Sequence, residues 1–392
     1  MSLTVSLPPV DRADGSALPH RLRPIPALDG LRALAVMAVV LFHYPTRSWI
    51  RGGYLGVDVF FVLSGFLVTA GLLDEADGST RIRVGRFLAK RGWRLLPGLL
   101  TLLAVFLLLA SSFHNSRWFS SNPFGVFAGH PLPLGRAVKG VGAALLYCYN
   151  FLLTTGAATP SSLGHLWTLA IEGQFYLLWV LILWWIAPRR PRGLPAIIGV
   201  GIVGSAMVPW LVWRGGMGAN IIYFGTAPRL QQLLAGAAVA VMWRRGVFDR
   251  LPPAVVRIAG GLGAVALLLM CFTVGNVTFK YLGAETAAWL ASALVIVCLL
   301  ASPAWSLSGR VLASAPLTWL GRRSYGVYLW HWPLAEWTNR MPHSIGLPLG
   351  VGTSLLLAET SWQLVERPAQ HWSRRRSPRL ATRSGAAATA TK

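Results

Sequence analysis

Residues Leu166–Ala187 read LWTLAIEGQFYLLWVLILWWIA, an apolar run interrupted near its start by the carboxylate of Glu172. Roughly 20 apolar residues carry a helix across the hydrocarbon core of a bilayer. This stretch meets that length, and it recurs. Leu194–Trp213, Ile258–Val274 and Ala287–Ala301 are runs of the same kind. Over the 392 residues, 54% are hydrophobic and 12% are charged, about half the charged share of a soluble domain. The composition calls for lipid.

A formal charge of +23 suggests nucleic acid only at first sight. The basic residues lie in short clusters between apolar runs, at Arg81–Arg94, Arg189–Arg192, Arg244–Arg257 and from Arg367 onward, and form no continuous stripe. That is the pattern of loops retained on the cytoplasmic face, so no nucleic-acid partner is expected. Reading runs and loops together predicts an all-α, polytopic integral membrane protein. About ten transmembrane helices are centred near Val36, Leu63, Leu103, Trp179, Val203, Ala235, Ala266, Leu294, Leu329 and Leu355, with both termini cytoplasmic.

Residues 1–24 read as a cytoplasmic segment, 25–372 as the membrane domain and 373–392 as a disordered basic tail able to rest on anionic headgroups. The start has no signal-peptide core, so the first span is expected to act as its own insertion signal. Between Ser111 and Gly164 a short apolar patch, Val141–Leu153, is expected to be re-entrant or to lie against the outer surface. Cys148, Cys271 and Cys298 lack ligand spacing. No metal and no permanently bound cofactor is expected.

Ionisable groups inside spans are costly and are functional candidates first. On the first predicted helix, Arg32 and His43 are eleven residues apart, roughly 20° beyond three full turns and about 16 Å along the axis. One face therefore joins a cation at the cytoplasmic end to an imidazole in the opposite half. Histidine suits proton abstraction near neutral pH, although His43 alone reads equally as a hydrogen-bonded packing residue. Asp29 stands three residues before Arg32, at ion-pair spacing. On the second span Asp58 is level with His43, placed either to orient the imidazole or to cap the helix, and Ser64 follows among small residues. Arg91 and Arg94, one turn apart, suit a phosphate or serve as a positive-inside anchor.

His165 and Glu172 are seven apart and share a helix face, with Tyr176 one turn deeper. Arg229 lies near the outer end of another span, and Ser324, Tyr328 and His331 form one stripe in SYGVYLWHWP. Aromatic residues also gather at membrane interfaces for reasons unrelated to catalysis.

In order along the chain stand LDGLR with His43, GVDVFFVLSG, Arg91 and Arg94 with Pro97, HLWTL with Glu172 and Gln174-Phe175-Tyr176, Arg229, Ser324-Tyr325 with Trp330-His331-Trp332-Pro333, and Glu366-Arg367-Pro368. Together, from about Ile25 to Trp372, these resemble the acyltransferase 3 family, bacterial membrane proteins that O-acylate glycans, lipid-linked saccharides and macrolide-type small molecules. The resemblance implies acyl-coenzyme A as co-substrate at the cytoplasmic side, a hydroxyl-bearing saccharide or small-molecule acceptor, His43 as the essential base, and residence in the bacterial cytoplasmic membrane. One departure stands out: where the family usually shows two consecutive glutamates, this chain has Glu172-Gly173. Some members carry an appended extracytoplasmic esterase-like domain. Here the membrane bundle is expected to do the whole transfer.

The expected mechanism places the donor's phosphates on Arg32, Arg91 and Arg94 and its thioester near His43, with Asp58 and Glu172 assisting. A saccharide or lipid transporter is the rival reading, because such proteins also use intramembrane His, Arg and Glu.

Overall fold

The computed structural model describes residues 20–376 apart from 45–49, 79–81, 114–125, 128–129, 132, 158, 187–192, 275–282, 302–306 and 340. Most of the two terminal segments expected from the sequence lies outside these described residues. In chain order the elements are α1 (Pro26–His43), a 3-10 turn (Gly53–Leu55), α2 (Gly56–Gly78), α3 (Val84–Phe113), a two-residue antiparallel pair β1 (Val126–Phe127) and β2 (His130–Pro131), α4 (Leu134–Leu145), α5 (Tyr149–Thr154) and a second 3-10 turn (Ser161–Leu166). There follow α6 (Trp167–Ile186), α7 (Leu194–Arg214), α8 (Ala219–Phe224), α9 (Thr226–Arg244), α10 (Pro253–Thr273), α11 (Glu285–Ala301), α12 (Leu307–Leu312), α13 (Ala315–Thr338), α14 (His343–Ser361), a π turn (Trp362–Glu366) and α15 (Arg367–Arg376).

Each predicted centre falls inside one of the long helices α1, α2, α3, α6, α7, α9, α10, α11, α13 and α14. Among the described residues, six stretches are long and apolar enough to cross a membrane, and they correspond to α1, α2, α3, α6, α7 and α10. The polarity that sets α9 apart points inward: Arg229, Gln231 and Gln232 are all at most 1% exposed. Gln231 Oε1 accepts from Trp289 Nε1 at 2.8 Å and ties α9 to α11. By contrast, Val200, Val203, Ile258, Leu262 and Leu268 on α7 and α10 are exposed, as surfaces that meet acyl chains are.

Two seams set the bundle. α2 crosses α9 where a Cβ on Gly65 would lie 1.9 Å from the Leu233 carbonyl oxygen, and one on Gly236 would lie 2.0 Å from that of Val62. α1 and α13 run side by side in the same direction. At their starts a Cβ on Gly321 would lie 1.8 Å from the Asp29 carbonyl oxygen. Small residues let helix backbones approach this closely.

One end of the bundle gathers the basic residues. There Arg244, 1% exposed, pairs with Asp74 and bonds the His20 carbonyl, while Leu22 N donates to Asp74 Oδ2 at 2.8 Å. The chain before α1 is thereby fastened to α2 and α9. The short patch Val141–Leu153 forms the end of α4, a turn at Tyr147 (φ 53°) and most of α5, held against α3, α6 and α8. At the other terminus α15 continues to Arg376, so residues 373–376, expected to be disordered, are helical.

Replacing Gly236 by Val forces a side chain into the Val62 carbonyl. The expected result is at least about 1–3 kcal/mol of destabilisation, read as a lowered melting temperature and reduced monodisperse protein in detergent. A change on the exposed face of the bundle, such as Val200→Ala, leaves both unchanged.

Candidate active site

Three cavities lie in series along α1, α3, α6 and α13. The first opens at the basic end, has a volume of about 260 Å³, and is lined by Asp29, Arg32, Lys90, Trp93, Arg94, Arg322, Trp362 and Gln370 among others. Four cations against one carboxylate make it strongly electropositive. Arg32 and Arg94 also line the second cavity, a narrow one of about 80 Å³. Here α2 supplies Ser64, α3 supplies Arg91, α6 supplies Glu172 and Tyr176, and α13 supplies Ser324, Tyr325 and Tyr328. The third cavity, of about 710 Å³, opens at the far end around His43, His165, Trp167, Trp332, Glu336 and Asn339. Val57 and Tyr328 belong to the walls of both the second and the third.

In the middle cavity the polar groups serve one another. Ser64 Oγ and Tyr176 Oη are 2.6 Å apart, and the Glu172 carboxylate is within hydrogen-bonding reach of both and within electrostatic reach of Arg32 and Arg91. The Arg91 guanidinium lies 5.2 Å above the Tyr176 ring and 5.8 Å from the Phe87 ring. Of the expected pair, Arg94 joins Arg32 at the mouth, while Arg91 lines the middle cavity and a neighbouring opening at the basic end beside Arg86 and Lys90. Tyr328 is pinned at the wall, accepting from Thr168 Oγ1 at 2.8 Å and donating to the His165 carbonyl at 3.0 Å.

At the far end the rings converge. His43 Nδ1 is 3.2 Å from His331 Nε2, and His331 Nδ1 is 2.6 Å from the Tyr328 carbonyl oxygen. The Trp332 ring meets His43 edge-on at 4.4 Å. His165 is buried, its ring centroid 5.8 Å from that of His331. Among the described residues, no group of three or more His, Cys, Asp or Glu is arranged to hold a metal ion.

Asp58 is not the partner of His43, which corrects the orienting role expected for it. It is fully buried, accepting from Arg229 Nη1 at 3.2 Å and Gln232 Nε2 at 2.9 Å. Arg229 Nη2 also lies 2.7 Å from Glu285 Oε1, its Nε donates to the Tyr223 carbonyl at 2.9 Å, and its guanidinium stacks on Tyr223 and Trp167. This cluster joins α2, α9 and α11, and neither Asp58 nor Arg229 lines any of the three cavities.

The acyltransferase 3 family model, described as an acyltransferase domain, matches residues 25–358. The chain belongs to the acyltransferase 3 family. It is 31% identical over 374 residues to a peptidoglycan O-acetyltransferase of Listeria monocytogenes and 33% identical over 368 residues to a putative one of Bacillus subtilis. In both cases 88% of this chain and 55% of the relative are covered. A putative O-acetyltransferase of Staphylococcus aureus is 29% identical, over 92% of this chain and 59% of its own length. The chain thus spans a little over half the length of these relatives. No solved structure matches.

Within the acyltransferase 3 bundle, the glycine at 173 has a steric reason. A Cβ there would lie 2.2 Å from Tyr147 Cδ1, so the Tyr147 ring fills the place that a second carboxylate side chain would need. Gln174 Nε2 secures the same turn, donating to the Tyr147 carbonyl at 2.7 Å.

Sequence reasoning passed over several residues of the site. Lys90, Arg322, Trp362 and Gln370 line the mouth, and Glu336 and Asn339 line the far cavity. Glu285 was visible as an acid at the start of an apolar run, and Glu336 as a charge five residues beyond His331. Glu285 escapes a reading of the sequence because finding the counter-ion of a buried Arg229 requires counting carboxylates across helices distant in sequence.

Replacing Arg229 by Met leaves Asp58 and Glu285 facing each other without their cation. Removing one member of a buried ion cluster typically costs about 3–5 kcal/mol. The expected outcome is little folded protein by size-exclusion chromatography, with Arg229→Lys intermediate.

Proposed function

We propose that this chain is a membrane O-acyltransferase that moves a short acyl group from acyl-coenzyme A to a hydroxyl of a glycan or other saccharide-bearing acceptor. The observation that carries the reading is the series of cavities, which joins an electropositive mouth to a histidine at the opposite end of the bundle through walls the cavities share. The relatives' names, as peptidoglycan O-acetyltransferases, support a glycan acceptor. The ten long helices are taken as ten spans of the bacterial cytoplasmic membrane, with the basic end and both termini cytoplasmic, as the positive-inside rule requires.

On this reading Arg32 and Arg94, with Lys90 and Arg322 at the mouth, hold the phosphates of the donor. Its pantetheine arm extends through the middle cavity past Glu172 and Tyr176 toward Tyr328. The acceptor occupies the far cavity, where Trp167 and Trp332 offer flat apolar faces and Asn339 and Glu336 offer polar contacts. His43 takes the proton of the acceptor hydroxyl as its oxygen attacks the thioester carbonyl. The tetrahedral intermediate collapses with cleavage of the C–S bond, and the proton passes from His43 to the departing sulfur. To stabilise the developing oxyanion, the Tyr328 hydroxyl, at the wall shared by the two cavities, exchanges its bond to the His165 carbonyl for one to the charged oxygen.

In a detergent preparation supplied with labelled acyl-coenzyme A and a soluble glycan, the wild-type protein should form an ester, which a transporter does not. His43→Ala should lower transfer per folded molecule by about 100- to 10,000-fold while donor affinity stays nearly unchanged. Arg94→Ala should do the reverse, weakening donor affinity more than turnover at saturation. Transfer by His43→Ala at the wild-type rate removes His43 as the base.

A further inference from the structure

We infer that His331 is the positioning residue that fixes the working tautomer of His43, an inference that rests on His43 being the base. The argument begins at a backbone carbonyl. The Tyr328 oxygen can only accept, so the His331 Nδ1 that lies 2.6 Å from it carries a proton. In the neutral ring the other nitrogen, Nε2, is then bare. That nitrogen faces His43 Nδ1 at 3.2 Å, so the bond between the rings forms when His43 Nδ1 carries the proton and donates it. A neutral imidazole has one proton to place. Held on Nδ1, it leaves Nε2 of His43 as the nitrogen able to accept.

The surroundings suit this role. His331 is 0% exposed, on a rigid helix, and spends its first bond on the carbonyl three residues back in its own chain. A histidine serving only as core filling needs no second aromatic base at its other nitrogen. Trp332 and Phe42 both meet the His43 ring nearly edge-on, with centroids at 4.4 and 5.0 Å, and restrain its plane. The carboxylate that sequence placed level with His43 is engaged elsewhere, because Asp58 serves Arg229 and Gln232.

The resulting chain, His43 Nδ1–H to His331 Nε2 and His331 Nδ1–H to Tyr328 O, does the orienting work that an aspartate does in a hydrolase triad. It does so without a charge. During transfer the acceptor O–H proton moves to His43 Nε2 and later to the sulfur, while the proton on Nδ1 stays in its bond to His331. No proton is lost along the relay.

The test uses the full chain in detergent with two substitutions. His331→Gln keeps an acceptor oxygen near the position of Nε2, whereas His331→Leu fills the space without one. His331→Leu is expected to lower kcat by at least about tenfold, within the roughly 100- to 10,000-fold attributable to a general base, with KM for acyl-coenzyme A nearly unchanged; His331→Gln is expected to recover most of the loss. Equal impairment of the two variants, or a wild-type kcat in His331→Leu, overturns the inference. Should His331→Leu fail to fold, nitrogen NMR of the wild-type protein with labelled histidine decides the matter: a protonated Nδ1 and bare Nε2 on His43 are expected, and the opposite tautomer overturns it. An inactive His43→Ala beside a fully active His331→Leu refutes this inference alone, whereas an active His43→Ala refutes the base reading beneath it as well.

Discussion

The site depends on the seam between α1 and α13. At one end of it Gly321 rests against the Asp29 carbonyl, a contact that no larger residue permits. At the other, His331 meets His43. Because the two helices run in the same direction from that close contact, α1 carries Arg32 toward the mouth and His43 toward the far cavity. α13 follows it with Ser324, Tyr328 and His331. Every polar group proposed to act on the donor, the acceptor or the proton lies on this seam or faces it across a cavity.

A second constraint holds the scaffold around it. Charges removed from water must be compensated within the protein, and the bundle does this with Arg229, Asp58 and Glu285 between α2, α9 and α11. The reactive groups, by contrast, line cavities. Glu172 and the arginines remain partly accessible, while Asp58 and Arg229 are sealed in the interior. Burial thus separates two classes of intramembrane charge that composition alone presents as one.

That separation also explains what was legible in the sequence. The helices were, because a run such as Leu166–Ala187 declares its length and apolarity locally. So was the common face of Arg32 and His43, since helical rotation over eleven residues is fixed by geometry. That Ser64, Glu172 and Tyr176 line one cavity with Arg32, Arg91 and Arg94 was not legible, because the six come from four helices and no local spacing relates one helix to another. The partner of Asp58 was not legible: being level with His43 says nothing about which helix lies between, and only the packing of α2 on α9 sends Asp58 to Arg229. The placement of Arg91 over Tyr176, and the Tyr147 ring that requires Gly173, depend likewise on contacts between segments far apart in sequence.

If the three cavities form one route through the bundle, the two substrates should enter from opposite sides of the membrane. Vesicles containing the protein in a single orientation can be supplied with labelled acyl-coenzyme A on one face and glycan acceptor on the other. Ester should form on the acceptor when the donor is given at the face bearing Lys90, Arg94 and Arg322, and the acceptor at the face bearing Glu336 and Asn339. Ester formation only when the donor is given at the Glu336 face would contradict a donor route from the basic end to His43.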